Sequence, residues 1–215
     1  MAHLLRARAA LFDMDGTLVD STAVVERIWS AFAERFGLDR ATVLAAVHGV
    51  RAADSVRRFA PEGSDVEVIV AELDAFELEH TESTVEIPGA AAFLASLPGE
   101  RVALVTSASP GLAAGRLRAA GVPSPGTIVT AHDVANGKPA PDGYLAAAAR
   151  LGVAPDDALV FEDAEAGIRS GLDAGMRVVV VGSHESASTR GLPRIRDYSG
   201  ARAEVDGDEL VLTLG

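Results

Sequence analysis

Cysteine is absent from the 215 residues, which removes disulfides, thiolate metal sites and cysteine nucleophiles together and fits a reducing compartment. Lysine is almost absent: of 19 basic residues only one, Lys138, is not arginine. A composition that uses arginine wherever a positive charge will serve has kept the compact ammonium at one place, which marks a pocket too narrow for a planar guanidinium. Basic residues as a class are outnumbered, 19 against 31 acidic, for a net charge of −12. A nucleic acid or an anionic membrane surface would be met against the protein's own field, so neither is an expected partner. No apolar run approaches the ~20 residues of a membrane span. Arg6 and Arg8 precede an acidic motif with no apolar leader stretch between, which argues against a signal peptide and for a cytoplasmic protein. Aromatics are scarce at 5%, yet 48% of the residues are hydrophobic and 23% charged, which excludes fibrous and disordered classes and describes one globular chain, with or without an insertion.

Periodicity then orders the chain. Residues 7–12 form an apolar run that reads as a buried strand delivering two acids to a turn. From Ser21 the spacing changes: Val24, Val25, Ile28, Trp29, Phe32 and Phe36 recur at three- and four-residue steps before Gly37, an amphipathic helix with its stop. Further helices are predicted over 40–47, 52–59 and 65–80. After Gly89 the pattern alternates, with helices over 90–97, 110–120, 141–151 and 164–174 and strands over 101–106, 127–130, 158–162 and 177–181. Ser109 before Pro110 is an N-cap with an N1 proline, and Gly121, Gly152 and Gly175 each follow a helix. Residues 182–196 read as a loop, and 201–205 with 209–214 as a closing hairpin around Asp206-Gly207. Strand–helix alternation requires a parallel sheet covered on both faces. The expected fold is therefore α/β: a doubly wound parallel-sheet core interrupted after its first strand by a helical insertion.

Ligands of such sheets bind beyond the carboxyl ends of the strands. There the chain carries Asp13-Met14-Asp15-Gly16-Thr17, Thr106-Ser107-Ala108-Ser109 and Glu162-Asp163, with Lys138 expected to open the helix after Gly137. Each alone reads equally as a turn or a cap. Brought together, Asp13, Asp15, Glu162 and Asp163 cannot all stay ionised without a cation, and Mg²⁺ suits an incomplete carboxylate site that keeps water. A hydroxyl, free backbone N–H groups and a lone lysine suit an anion with several oxygens, most simply a phosphate.

These residues, with Gly137-Lys138-Pro139-Ala140-Pro141-Asp142 and Glu162-Asp163-Ala164-Glu165-Ala166-Gly167, resemble in order and spacing the four motifs of the haloacid dehalogenase-like superfamily. The insertion resembles the α-helical cap of its phosphoglucomutase-like branch. Residues Val25-Glu26-Arg27-Ile28-Trp29, His48-Gly49 and the 106–109 run look similar to small sugar phosphatases acting on hexose or deoxyhexose phosphates, the 2-deoxyglucose-6-phosphatase-like group. The resemblance implies a catalytic core of residues 1–16 and 86–215, a cap of 17–85, and a Mg²⁺-dependent phosphatase of small sugar or polyol phosphates, expected as a monomer. It further implies Asp13 as the nucleophile that forms an aspartyl-phosphate and Asp15 as general acid and base. Mg²⁺ would be held by the Asp13 carboxylate, the Asp15 carbonyl and Asp163, with Glu162 as a ligand or just behind. Thr106, the N–H groups of Ser107 and Ala108, and Lys138 would hold the phosphoryl oxygens. The cap would shield the intermediate and carry specificity, with Glu26, His48 and Arg51 as candidate sugar contacts and Trp29 in the cap's own core.

Other readings exist. A phosphoacceptor signalling domain would carry its aspartate on a later strand and has no helical insertion, and a silent binding protein would not fill every catalytic position. A phosphosugar mutase resembling β-phosphoglucomutase would carry a His at Val25 and a Lys at His48. A phosphoglycolate-type phosphatase is the remaining alternative.

Overall fold

The computed structural model describes residues 3–215, so the first two residues of the core segment 1–16 lie outside the described residues. The chain enters as β1 (His3–Ala7) and β2 (Ala9–Phe12). After a tight turn come β3 (Val19–Asp20) and four helices, α1 (Thr22–Arg35), α2 (Arg40–Val47), α3 (Ala52–Phe59) and α4 (Val66–Glu79). Next is β4 (Val85–Glu86), which pairs antiparallel with β3, so the two connections to the helical segment run side by side. Alternation follows with α5 (Ala90–Ala95), β5 (Val102–Val105), α6 (Pro110–Ala120), β6 (Thr127–Val129) and α7 (Asp142–Leu151). The chain closes with β7 (Ala158–Glu162), α8 (Glu165–Asp173), β8 (Arg177–Val181), β9 (Arg194–Ile195), β10 (Arg202–Asp206) and β11 (Glu209–Leu214).

Six strands make one parallel sheet in the order β6-β5-β2-β7-β8-β9. Alternate side chains of its strands enter two separate apolar clusters. Phe12, Leu104 and Phe161 face one side, and Leu11, Val105 and Val160 the other, which is why these strands read as unbroken apolar runs. Helices α1–α4 enclose a third cluster around Trp29, Phe32, Val43, Val56 and Leu73, each large side chain gaining about 1.5–3 kcal/mol from burial. Among the described residues no helix is long and apolar enough to cross a membrane.

Three expectations need correction. Residues 7–12 are not one strand: the chain changes sheets at Arg8, and β1 pairs antiparallel with β11 in a second, three-stranded sheet of order β1-β11-β10. The stretch 182–196 is not all loop, because β9 adds a sixth strand through two residues paired with Val180 and Val181. Lys138 does not open α7, which begins at Asp142. Pro139 and Pro141 bias the residues before them away from helical angles.

Candidate active site

β2 sits in the middle of the sheet and continues past its end through the Asp13 N–H, which donates to Phe161 O at 3.0 Å. That bond aims Asp13 into the crevice between β5 and β7, where the strand order reverses. The next residues fold back at once, with Leu18 N–H donating to Met14 O at 2.8 Å and Gly16 N–H to Val19 O at 2.7 Å. Gly16 has φ +84°, and a Cβ there would run into the Asp163 carboxylate. A Cβ at Gly167, in the first turn of α8, would run into that of Glu162. Two glycines thus make room for two carboxylates.

Asp13, Glu162 and Asp163 bring carboxylate oxygens within 4.8 Å of one another. The Lys138 ammonium lies among them, its Nζ donating to Asp13 Oδ1 at 2.5 Å, Glu162 Oε1 at 2.6 Å and Val105 O at 3.0 Å. All three ammonium hydrogens therefore have partners. Burial, the Glu162 charge and Asp15 push the Asp13 carboxyl upward, to about 8, against the pull of Lys138. Burial, Glu162 and Asp13 push Asp163 the same way. One ammonium does not neutralise three acids, and the uncompensated charge, on oxygens with space kept by Gly16, fits a hard divalent cation.

Glu162 differs from its neighbours. Its Oε1 accepts from Lys138 and from the Tyr144 hydroxyl at 3.1 Å, and its Oε2 from the N–H groups of Asp163 at 2.9 Å and Ala164 at 3.1 Å. With four donors on two oxygens it braces Lys138 and the turn after β7. Among the described residues the Asp163 carboxylate accepts only from Thr17 Oγ1, at 3.2 Å on Oδ1, and its Oδ2 has no donor.

The second aspartate of the motif turns away from the cluster. Asp15 Oδ1 accepts from Ser21 Oγ at 2.7 Å and Oδ2 from Arg116 Nη1 at 2.8 Å. Arg116, on α6, also pairs through Nη2 with Glu77 of α4. Burial pushes Glu77 up to about 7, while Arg116 pulls it down. Neither Arg116 nor Glu77 was among the sequence candidates. Each sits on the buried stripe of its helix, after Leu112 and Ala113 in one case and Ile69 and Leu73 in the other, and a charge on an apolar stripe is the signal that could have found them.

After β5, Ala108 N–H donates to Thr106 Oγ1 at 3.1 Å, so that N–H is engaged within the protein while the Thr106 hydroxyl hydrogen stays free to donate. Ser107 Oγ reaches Gly49 O of the helical segment at 2.9 Å. A cavity of about 300 Å³ opens above these groups, with Asp13, Asp15, Asp163, Ser107, His48 and Arg51 on its walls. His48 is exposed at the end of α2. Arg51 is tied to Asp54 and to the carbonyls of Val134 at 3.3 Å and Ala135 at 3.2 Å, so it bridges to the loop before Lys138. Gly137 leaves room for its stem. Glu26 is half-buried on α1 and is not part of the wall, whereas Trp29, in the helical core, also lines the cavity.

Several known proteins are similar to this chain as a whole. Hexitol phosphatase A of Escherichia coli (strain K12) is 45% identical over 181 residues, 82% of this chain and 84% of that one. The yeast Saccharomyces cerevisiae 2-deoxyglucose-6-phosphate phosphatase 1 is 33% identical over 199 residues, 82% and 80% of the two chains, and its glycerol-1-phosphate phosphohydrolase 2 is 32% identical over 186, 81% and 74%. A β-phosphoglucomutase from Clostridium difficile shares the fold, with a TM-score of 0.78 at 21% identity over 90% of this chain and 92% of that one. Haloacid dehalogenase-like hydrolases match as a family over residues 7–175, and by that match and its phosphatase relatives the chain belongs to the haloacid dehalogenase-like hydrolase family and is a phosphatase.

Proposed function

We propose that the protein hydrolyses phosphate monoesters of small sugars and polyols through an aspartyl-phosphate on Asp13. The observation that carries this reading is the buried Asp13 carboxylate, held by Lys138 at the end of the central strand beneath a cavity roofed by helices. Asp13 attacks phosphorus in line, forming a carboxyl O–P bond as the ester P–O bond breaks, and Asp15 gives its proton to the departing oxygen. Asp15 then takes a proton from water, whose oxygen forms the new bond to phosphorus while the bond to Asp13 breaks and the carboxylate is restored. Asp13, Asp163 and the Asp15 carbonyl would hold Mg²⁺, which when bound neutralises phosphoryl charge. The Thr106 hydroxyl and the Ser107 N–H orient the phosphoryl oxygens. Lys138 keeps Asp13 on the line of attack and Glu162 keeps Lys138 in place. Residues 17–85 act as the cap, with His48 and Arg51 at the leaving-group end, and similarity to a hexitol phosphatase and a 2-deoxyglucose-6-phosphate phosphatase supports polyol and sugar esters as the substrate class.

The test measures phosphate release from hexitol, glycerol, 2-deoxyhexose and hexose phosphates and from phosphoglycolate, with Mg²⁺ present and chelated. Turnover of polyol and sugar esters that stops on chelation is expected. Preference for phosphoglycolate, or no release from any sugar or polyol ester, would refute the substrate class.

Hydrolysis rather than isomerisation is also expected. A mutase must keep its phospho-enzyme from water while the sugar reorients, and Val25, on the cavity wall, is apolar and cannot couple Asp15 to that movement. With β-glucose 1-phosphate and a catalytic amount of glucose 1,6-bisphosphate, phosphate should accumulate faster than glucose 6-phosphate. The reverse order would establish a mutase.

Mg²⁺ should also stabilise the fold. At about a hundred times its Kd an ion that binds only the folded state contributes about 2.7 kcal/mol, roughly 5–10 °C in Tm for a chain of this size. Asp163→Asn should abolish that shift in thermal melts. An unchanged Tm for the wild type at saturating Mg²⁺ would count against a preformed site.

A further inference from the structure

We propose that Arg116 is the positioning residue for Asp15, and that Glu77 is its second anchor, so that the acid–base carboxylate is aimed only while α4 of the cap is docked on α6 of the core. The proposal rests on the reading of Asp15 as general acid and base. The Arg116 side chain is only 5% exposed, yet it lines the cavity together with Asp15 and Glu77. Its Nη1 holds Asp15 and its Nη2 holds Glu77, and its Nε–H has no partner among the described residues. A buried guanidinium with two carboxylates is a weak contributor to stability compared with apolar residues of similar volume. Its position beside the cavity therefore calls for another reason.

The geometry supplies one. The three groups come from three different parts of the fold: the turn after β2, core helix α6 and cap helix α4. A planar fork holds both carboxylates in one fixed plane, whereas the hydrogens of an ammonium rotate about a single nitrogen and impose no plane. With Oδ2 of Asp15 held by an obligate donor, Oδ1 is left with the Ser21 hydroxyl at 2.7 Å. A hydroxyl can donate or accept, so Oδ1 is the oxygen able to give up and regain a proton, and Arg116 fixes which way it points. Glu77 fixes Arg116 in turn, and lifting α4 removes that constraint.

Two esters separate this role from a structural one. An alkyl phosphate needs a proton on its leaving oxygen, whereas p-nitrophenyl phosphate does not, so loss of aim at Asp15 should affect the first and spare the first turnover of the second. Arg116→Lys keeps the charge, and Glu77→Gln keeps the shape should the lysine variant fail to fold. For Arg116→Lys, kcat on glycerol 1-phosphate should fall at least about tenfold, a part of the ~10²–10⁴ that a general acid contributes. Single-turnover nitrophenolate release should stay within about threefold and KM should change little. Glu77→Gln should give the same selective pattern, smaller. In an Asp15→Asn background, Arg116→Lys should add no further loss, since the two act as a unit. Equal losses on both esters, or independent losses in the double variant, would overturn the proposal, and a wild-type Glu77→Gln would overturn its cap half. If Asp15→Asn itself lost both esters evenly, the acid–base reading of Asp15 would fall instead.

Discussion

Asp13→Asn should fold, bind its substrate and turn over at no more than background, a loss of at least about four orders of magnitude, in the range seen when a nucleophile is removed. The amide is nearly isosteric with the carboxylate, and its oxygen can still accept from Lys138, which lies 2.5 Å from Asp13 Oδ1 in the wild type. An amide does not form the carboxyl–phosphate bond, so the reaction stops before its first step. The same substitution removes one of the two aspartates, Asp13 and Asp163, that burial and the neighbouring carboxylates push toward their neutral forms, so the metal-free variant should melt no lower than the wild type. Phosphate release and thermal melts, run side by side, check both halves. Residual hydrolysis above about one per cent of wild type would exclude Asp13 as the nucleophile, because no intermediate could then form on it.

Lys138 carries the second large effect, and here the size of the cation decides. Its side chain is 4% exposed and its three hydrogens meet a carboxylate on either hand and a main-chain carbonyl, with the Tyr144 ring 5.1 Å away. Lys138→Met leaves Asp13, Glu162 and Asp163 without a counter-charge, and removal of one partner from a buried pair costs about 3–5 kcal/mol. Urea denaturation should show that loss, and activity should fall by at least about 10³, as when groups acting as one unit are broken. Lys138→Arg preserves the charge, yet the fork is longer and flat, and the site offers three acceptors at 2.5–3.0 Å around one nitrogen. It should lose at least about a hundredfold in kcat, because a displaced Asp13 misses the line of attack. Wild-type turnover by Lys138→Arg would leave the solitary lysine an accident of composition.

That solitary lysine shows what composition can reveal without coordinates. Arginine serves at every other basic position, and the exception is buried with its single nitrogen among two carboxylates and a main-chain carbonyl. Most of the sheet and its helices were legible for a similar reason, since β2, β5 and β7 are buried along their whole length and α6 carries its own start and stop in Ser109-Pro110 and Gly121. The helix over 110–120 and the strands over 158–162 and 177–181 have the predicted limits. Sequence fell short where an element depends on a distant partner. β1 is a strand because β11 pairs with it, and β9 because Val180 and Val181 do.

The site divides along the same line. Which residue types gather at the sheet's carboxyl edge was determined by sequence alone, because strand order and strand ends dictate it. What each group is free to do was decided only by the tertiary structure. Glu162 spends both oxygens on four donors, Ala108 gives its N–H to Thr106, and Arg51 bridges to carbonyls of another segment. Asp15 faces Arg116, 101 positions away, and Arg116 in turn meets Glu77 on another helix. A hydrogen bond is a short-range, directional contact, and whether a donor or acceptor is already engaged depends on chain segments that periodicity and motif spacing do not relate to one another.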